Sequence, residues 1–565
     1  MKFLPAVVSY FFQDRTAKAN VASLLRFVVV LAAMMVVYSF VFQLIMALEG
    51  RTYSFVHGIY WTVVTMTTLG YGDITFTSDL GKAFSVLVLL SGVVFLLVML
   101  PFTFIRFFYA PWLEAHNRAR TPRKLPEDTH GHVLLTGFDP LIANLIGKLS
   151  QYDYDYAVIA PDQQEALDLY NQGYRVVVGD LDDVATYRNA RADQAALVML
   201  NCDDPINTHA AFTLRELSQD TPVVAAADYK DAIDILELAG CNEVYHFSGM
   251  LGRSLARRVL GVGVHANIIG RFSDLLIAEY PAMRTELERK RVAESRVRES
   301  TGVTIVGIWE RGSFKLSSAD TLIQSNTVLV LAGSREQLEQ FSKVYGLSNP
   351  VSGPVLIIGG GSEGLAAGET LAASEIDYRI VERLSNTSTD SEHTVVGDAT
   401  DLATLKKAGI DHAPSVIITT GNDDINIYLT IYCRKLRPDV QIISRARHER
   451  SVGKLHEAGA DLVMSYASMG ANSIINYLKG DNVLMVAEGL HVFREPTPPS
   501  LRNKTIAKSN IRAKTNCSVI AVALANRETV INPAPDHVLS PSDELILIGT
   551  SESERKFFTS FRKRH

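Results

Sequence analysis

The run Thr67-Thr68-Leu69-Gly70-Tyr71-Gly72-Asp73 carries little side-chain chemistry, and its backbone is what could work. A cation that sheds its water needs a cage of oxygens in exchange. Successive backbone carbonyls supply one only if they all point to one side. That demands alternating, unusual dihedrals, which Gly70 and Gly72 permit. The Thr68 hydroxyl adds a further oxygen at the end of the run. A second run, Gly359-Gly360-Gly361-Ser362-Glu363-Gly364, follows the apolar stretch Val355–Ile358 and opens a helical stretch through Leu371. Glycines at these spacings let backbone N–H groups approach a pyrophosphate at a helix N-terminus, and Glu382, about 18 residues on, can accept hydrogen bonds from a ribose. The alternative is a glycine turn needed only for close packing of helix on strand.

The elements around the first run are membrane-like. Phe27–Leu48 and Ala83–Ile105 lack any charge, and each is long enough to cross a hydrocarbon core of about 30 Å as a helix. Lys2, Arg15, Lys18 and Arg26 precede the first; Arg106, Arg118, Arg120, Arg123 and Lys124 follow the second. Basic flanks on both sides place both termini in the cytoplasm. Between the spans, Phe55–Thr67 is apolar and aromatic but too short to cross, and reads as a half-membrane helix. The run it ends in resembles the potassium-channel filter TVGYG, with Leu69 in place of Val. The resemblance implies K+ sites at Thr68, Leu69, Gly70 and Tyr71, completed by Gly72 and Asp73. One chain holds a single copy, so the cage needs a homotetramer. Val64 stands where some members carry an acid. No Arg-rich helix offers a voltage sensor. In the second span, Gly92 is either a hinge or a helix-packing contact. Leu97, above Pro101, is either a gate that closes by dewetting or an ordinary lipid-facing position.

From residue 131 onward the chain repeats itself at a spacing of about 220 residues. Gly137 pairs with Gly359, Val178-Gly179-Asp180 with Val396-Gly397-Asp398, Asp203-Asp204 with Asp423-Asp424, and Ala239-Gly240 with Ala458-Gly459. Short apolar strands alternate with helical stretches, which predicts a doubly wound parallel sheet in each repeat, followed by a small β-rich lobe. The repeats resemble RCK domains, ligand-sensing modules that regulate potassium conductance. The whole chain resembles two-transmembrane potassium channels with tandem RCK domains, of the GsuK and MthK kind. The expected fold is an α-helical membrane pore followed by two α/β Rossmann-like RCK domains. The expected divisions are a pore at 1–110, a linker at 111–130, a first RCK domain at 131–348 with a C-lobe at about 290–345, and a second at 349–565 with a C-lobe at about 487–560.

The resemblance implies a gating ring in the cytoplasm of a prokaryote, under a pore in its inner membrane. It also implies a regulatory adenine nucleotide such as NAD, held by Gly359, Gly361, Ser362, Glu363, Gly364 and Glu382, with Asp398 of the G-D-A-T motif near the adenine. The first repeat departs from this pattern: Asp139 and Ile142 replace two glycines and Ala160 stands for Glu382. Asp139 puts a carboxylate where a phosphate should sit, and is expected to cap its helix instead. Ca2+ is a second candidate ligand, with Asp180, Asp182, Asp183, Asp203, Asp204, Asp423 and Asp424 as its acids, although none has EF-hand spacing.

The composition narrows the alternatives. A net charge of −6 with no basic domain argues against nucleic acid. Four scattered cysteines without CxxC argue against a disulfide scaffold or zinc site. No cleavable signal peptide is evident. A potassium-uptake regulator shares the repeated pair but not the spans. A nucleotide-dependent enzyme would need a catalytic constellation that the sequence does not offer.

Overall fold

Long apolar stretches leave their backbone no better partner than itself, and between residues 15 and 109 they fold into helices. The structure, a computed structural model, describes residues 15–109, 121–259, 266–272, 274–283, 285–310, 313–324, 327–346, 353–384, 392–480, 483–487, 490–526 and 528–561. The expected linker thus falls mostly outside the described residues, as do Lys2, Arg118 and Arg120. Helix α1 (Arg15–Leu48) is followed by α2 (Phe55–Met66) and α3 (Asp79–Gly92). Beyond Gly92 the α3 rod continues through wider π-helical turns at Val93–Met99, a short α-helical stretch Leu100–Phe104 and further π turns to Tyr109. Leu25–Leu48 and Asp79–Thr103 are long and apolar enough to cross a membrane. The second begins a turn earlier than its uncharged core suggested, because Ser78 caps it, accepting from the Gly81 N–H at 3.1 Å. Phe42, Met46, Trp61, Met66, Phe76 and Val88 form the buried core of this part. Trp61 stacks on Phe42 with ring centroids 5.1 Å apart and meets the edge of Phe76 at 5.1 Å.

The chain divides into two compact units, Met1–Pro122 with Gln163–Asn171, and Arg123–Asp162 with Gln172–His565. In the second unit the duplication is explicit. Strands β1 (Val133–Thr136), β2 (Tyr156–Ala160), β3 (Val176–Val178), β4 (Leu197–Leu200), β5 (Val223–Ala226) and β6 (Glu243–Tyr245) form a sheet in the order β3-β2-β1-β4-β5-β6. Helices α4 (Pro140–Gln151) and α5 (Phe247–Ala256) belong to it. A lobe of β7 (Asn267–Phe272), β8 (Leu275–Pro281), β9 (Thr304–Glu310), β10 (Ser313–Leu316) and β11 (Val328–Gly333) follows. The second repeat has β12 (Val355–Ile358), β13 (Tyr378–Glu382), β14 (Thr394–Val396), β15 (Ser415–Ile418), β16 (Gln441–Ala446) and β17 (Leu462–Ser465) in the same order. Its helices include α6 (Ser362–Ala373), α7 (Asp423–Leu436), α8 (Val452–Glu457) and α9 (Tyr466–Lys479). Its lobe comprises β18 (Val483–Ala487), β19 (Leu490–Pro496), β20 (Ser518–Ala523), β21 (Thr529–Ile531) and β22 (Glu544–Thr550).

Small locks are duplicated with the sheets. Arg215 donates through Nε to the Gly240 carbonyl at 2.9 Å, and Arg434 does the same to Gly459 at 3.1 Å. The two repeats are joined reciprocally: α5 packs on α6, and α9 packs on α4. Their lobes share one core, in which Ile277, Val306 and Val330 meet Val492, Ile520 and Ile548. The central strands are buried throughout because helices cover both faces of each sheet.

In the first unit a single carboxylate ties the end of α1 to the start of α3. Glu49 accepts from the Ser78 N–H at 2.8 Å and hydroxyl at 2.5 Å, and from the Thr77 N–H at 3.1 Å and hydroxyl at 2.9 Å. The Ser78 hydroxyl and N–H together hold the Glu49 carboxyl down to about 2 from an ordinary 4.5. A carboxyl depressed in the folded state stabilises above its unfolded pKa and loses that contribution as pH falls through its folded pKa. Glu49→Gln should therefore lower the thermal midpoint of the detergent-solubilised protein at neutral pH. The gap from wild type should close as pH drops from 4.5 toward about 2, read by fluorescence-detected melting.

Candidate functional site

The α2 helix ends by handing its last carbonyls to the filter run. The Val64 carbonyl accepts from Leu69 N–H at 3.0 Å and from Gly70 N–H at 3.2 Å. Positive φ values then alternate: 62° at Thr68, 51° at Gly70 and 75° at Gly72. The sequence pointed to the two glycines; the structure adds Thr68, a side-chain-bearing residue in a region that costs energy. A Cβ at Gly70 or Gly72 would meet nothing within 4 Å, so backbone conformation and not space demands glycine there. Tyr60 Oη donates to Asp73 Oδ2 at 2.9 Å, a strut from α2 to the far end of the run. Leu69 and Tyr71 are exposed on the single chain. Further along, a Cβ on Gly92 would lie 2.3 Å from the Met66 carbonyl oxygen, so Gly92 is a close-packing contact. It is also the last residue before the helix widens into π turns. Leu97 is 57% exposed within those turns, and Pro101 is exposed beyond them.

In the second repeat, the turn between β12 and α6 borders a cavity of about 890 Å³. Gly359, Gly361, Glu363, Glu382 and Asp398 all line it; Ser362 and Gly364 do not. Gly364 serves packing instead, since a Cβ there would sit 1.9 Å from the Gly359 carbonyl oxygen. Gly359 has φ +111°, and the Thr419 hydroxyl donates to its carbonyl at 3.0 Å. Glu382 closes the turn by accepting from Gly360 N–H at 2.6 Å. Asp398 accepts from the Thr400 N–H at 2.8 Å and hydroxyl at 2.7 Å, and these two bonds hold its carboxyl below the usual range. Glu363 differs from its expected role: its carboxylate is buried in an ion pair with Arg445 of β16. Arg445, Arg383, Thr420, Asn422 and Tyr428 line the cavity and were not foreseen. The nearby Asp423-Asp424 pair in the repeat was the available pointer to the β15–α7 loop; nothing local marks Arg445.

Comparison with known proteins divides along the same lines. Residues 25–109 match the Ion channel family, residues 133–247 and 355–466 the TrkA-N domain, and residues 283–346 and 490–562 the TrkA-C domain. A solved structure of the GsuK channel bound to NAD is 39% identical, covering 97% of this chain and 100% of that one at a TM-score of 0.60. The chain belongs to the two-span potassium channels that carry tandem RCK domains. It is accordingly a membrane protein and a potassium channel with RCK regulatory domains. The crystal structure of the GsuK RCK domain is 37% identical over 80% of this chain and 100% of that one, at a TM-score of 0.60. Probable potassium channel protein 2 of Methanocaldococcus jannaschii is 26% identical over 247 residues, 40% of this chain and 71% of that protein.

The channel's first RCK repeat keeps the turn but not its openness. Gly137 has φ +65°, and Asp139 caps α4 by accepting from Ile142 N–H at 2.9 Å. Burial pushes the Asp139 carboxyl above the usual range against that bond. Several acids raised as Ca2+ candidates have backbone partners. Asp183 accepts from Ala185 N–H, Asp204 from Asp228 N–H, and Asp423 from Arg447 N–H. Among the described residues no three His, Cys, Asp or Glu side chains converge as metal ligands, so calcium has no support here.

Because Gly70 is free of neighbours, Gly70→Ala isolates the backbone requirement. A left-handed dihedral costs an L-residue about 1–2 kcal/mol. The channel should assemble but lose its preference for K+ over Na+ in reversal-potential measurements; retained selectivity would show that φ at Gly70 does not set the cage.

Proposed function

We propose that this protein is a homotetrameric, ligand-gated potassium channel whose second RCK repeat senses an adenine nucleotide of the NAD or ADP kind. The carrying observation is the Gly359 turn, with the α6 N-terminus, Glu382 and Asp398 around one 890 Å³ cavity. Helix N-termini favour anionic phosphates, and Arg383 adds positive charge at that cavity, where Glu363 already offsets Arg445. In this reading Glu382 meets the ribose hydroxyls and Asp398 the base. The NAD carried by the related GsuK structure supports a dinucleotide. The filter run Thr68 to Asp73 passes potassium when four chains surround one axis, with Thr68, Leu69, Gly70 and Tyr71 as the ion sites. Both termini lie in the cytoplasm of a prokaryote, beneath its inner membrane. The nucleotide biases two shapes of the RCK ring by its differential affinity for them. The inner helix below Gly92 responds, and the Leu97 ring closes the path by dewetting.

Gly361 allows a clean test. A Cβ there meets only Glu363 Oε2, at 3.8 Å, so an aspartate fits. Gly361→Asp reproduces Asp139 of the first repeat and should cap α6. Folding stability should hold or rise by up to about 1 kcal/mol, while nucleotide affinity falls at least a hundredfold by calorimetry. In single-channel recordings, cytoplasmic nucleotide should change open probability in the wild type and not in the variant. An unresponsive wild type, across all adenine nucleotides, ends the proposal. Separately, Leu97→Asp should hold the constriction wet and raise basal open probability; normal closing in that variant removes Leu97 from the gate.

A further inference from the structure

A second cavity, of about 320 Å³, lies between the two RCK repeats. The first repeat contributes α5, the start of β7 and Trp309 of β9; the second contributes α8, β17 and α9. Three polar side chains facing it are more than nine-tenths buried and each leaves an atom without a partner. Trp309 is 7% exposed, His456 7% and Asn472 6%, and the atoms are Trp309 Nε1, His456 Nε2 and Asn472 Oδ1. His456 Nδ1 lies 3.1 Å from the Ala460 carbonyl. A carbonyl only accepts, so the proton sits on Nδ1 and Nε2 presents a bare lone pair. These three atoms are one N–H donor and two acceptors.

Three charges in the wall, Glu279, Arg258 and Asp461, are matched, and a fourth, Arg257, is exposed at its edge. Glu279 takes Arg258 at 2.6 and 2.8 Å, and Asp461 takes Arg434 at 2.7 Å and the Ile442 N–H at 2.8 Å. A metal cation finds no spare carboxylate here, and an anion would face two lone pairs. Met250, Ile268, Leu462 and Met469 supply apolar wall, beside polar side chains that include Ser254, Asn267, Ser468 and Asn476. The volume would hold about ten waters at ~30 Å³ each, and it reaches the size range of small-molecule sites. Buried polar atoms that stay unmatched are costly, so the site is built for a molecule that matches all three.

We propose that this cavity binds an uncharged heteroaromatic base, free or as a nucleoside. Its edge N–H groups meet His456 Nε2 and Asn472 Oδ1, and a ring acceptor meets Trp309 Nε1. Because its walls come from both repeats, occupancy fastens one repeat to the other. The site is separate from the Gly359 cavity and does not rest on nucleotide binding there.

Calorimetry on the purified full-length channel, with adenine, cytosine, guanine and their nucleosides as probes, tests this. One probe class should bind once per chain in both wild type and Gly361→Asp. Trp309→Phe keeps a smaller aromatic ring and deletes the N–H, and Asn472→Leu deletes the acceptor; each should weaken binding about tenfold. In the wild type, hydrogen exchange should slow in β9 and α9 when the probe is added. The proposal fails if no probe binds at millimolar concentration, if both variants bind normally, or if β9 and α9 gain no protection. Binding abolished by Gly361→Asp alone places the probe in the Gly359 cavity and also overturns it.

Discussion

The Glu363 carbonyl lies where a Cβ on Gly252 would be only 2.2 Å away, so α5 and α6 meet backbone to backbone. Much of the second unit hangs on that contact. Helix α6 begins at the glycine turn, so its first turn packs directly on the neighbouring repeat. The Glu363 side chain reaches back to Arg445 on the floor of the cavity. One residue thus touches the other repeat through its backbone and the cavity through its ion pair. A buried pair of this kind is weak evidence for stability, because desolvation cancels much of the attraction. Under the proposed function it is a coupling element: a phosphate competing for Arg445 loosens Glu363, and α5 sits directly behind it.

Reciprocity makes the joint matter. The partner contact, α9 on α4, places Gly470 where a Cβ would come within 2.4 Å of Leu141. Two close helix contacts and a shared lobe core hold the repeats with little slack, and close-packed interiors transmit small shifts instead of absorbing them. The same device recurs in the first unit at Gly58, whose Cβ would lie 2.8 Å from the Ser39 carbonyl, and at Gly92 against Met66. The sequence left Gly92 open between hinge and packing. The geometry supplies the packing contact directly, and the change to π turns immediately after it is the feature a hinge reading must build on.

What the sequence disclosed was local or periodic. The two spans announce themselves by length and lack of charge, the filter and the nucleotide turn by contiguous glycines, and the repeat by matches about 220 residues apart. What it hid was made by distant residues meeting. Glu49 finds Thr77 and Ser78, and Arg445 finds Glu363 across 82 positions. Trp309, His456 and Asn472 come from three elements of two repeats, each unremarkable where it stands. Ser362 and Gly364 belong to the motif by spacing, yet of the run only Gly359, Gly361 and Glu363 reach the cavity.

The difference between the two repeats comes down to who supplies the negative charge at a helix start. In the first, Asp139 supplies it from within the chain, and burial strains that carboxyl toward neutrality while the cap bond holds it. In the second, Gly361 leaves the place vacant for side-chain oxygen, and no side chain caps α6. Both helices need their first N–H groups satisfied. The first repeat meets that need permanently, and so its helix start is the same in every state. The second meets it through solvent or an anion from outside, so the stability of its helix start depends on what is bound. Under the proposed function, that one exchange of aspartate for glycine makes the second repeat the sensor and the first its fixed support.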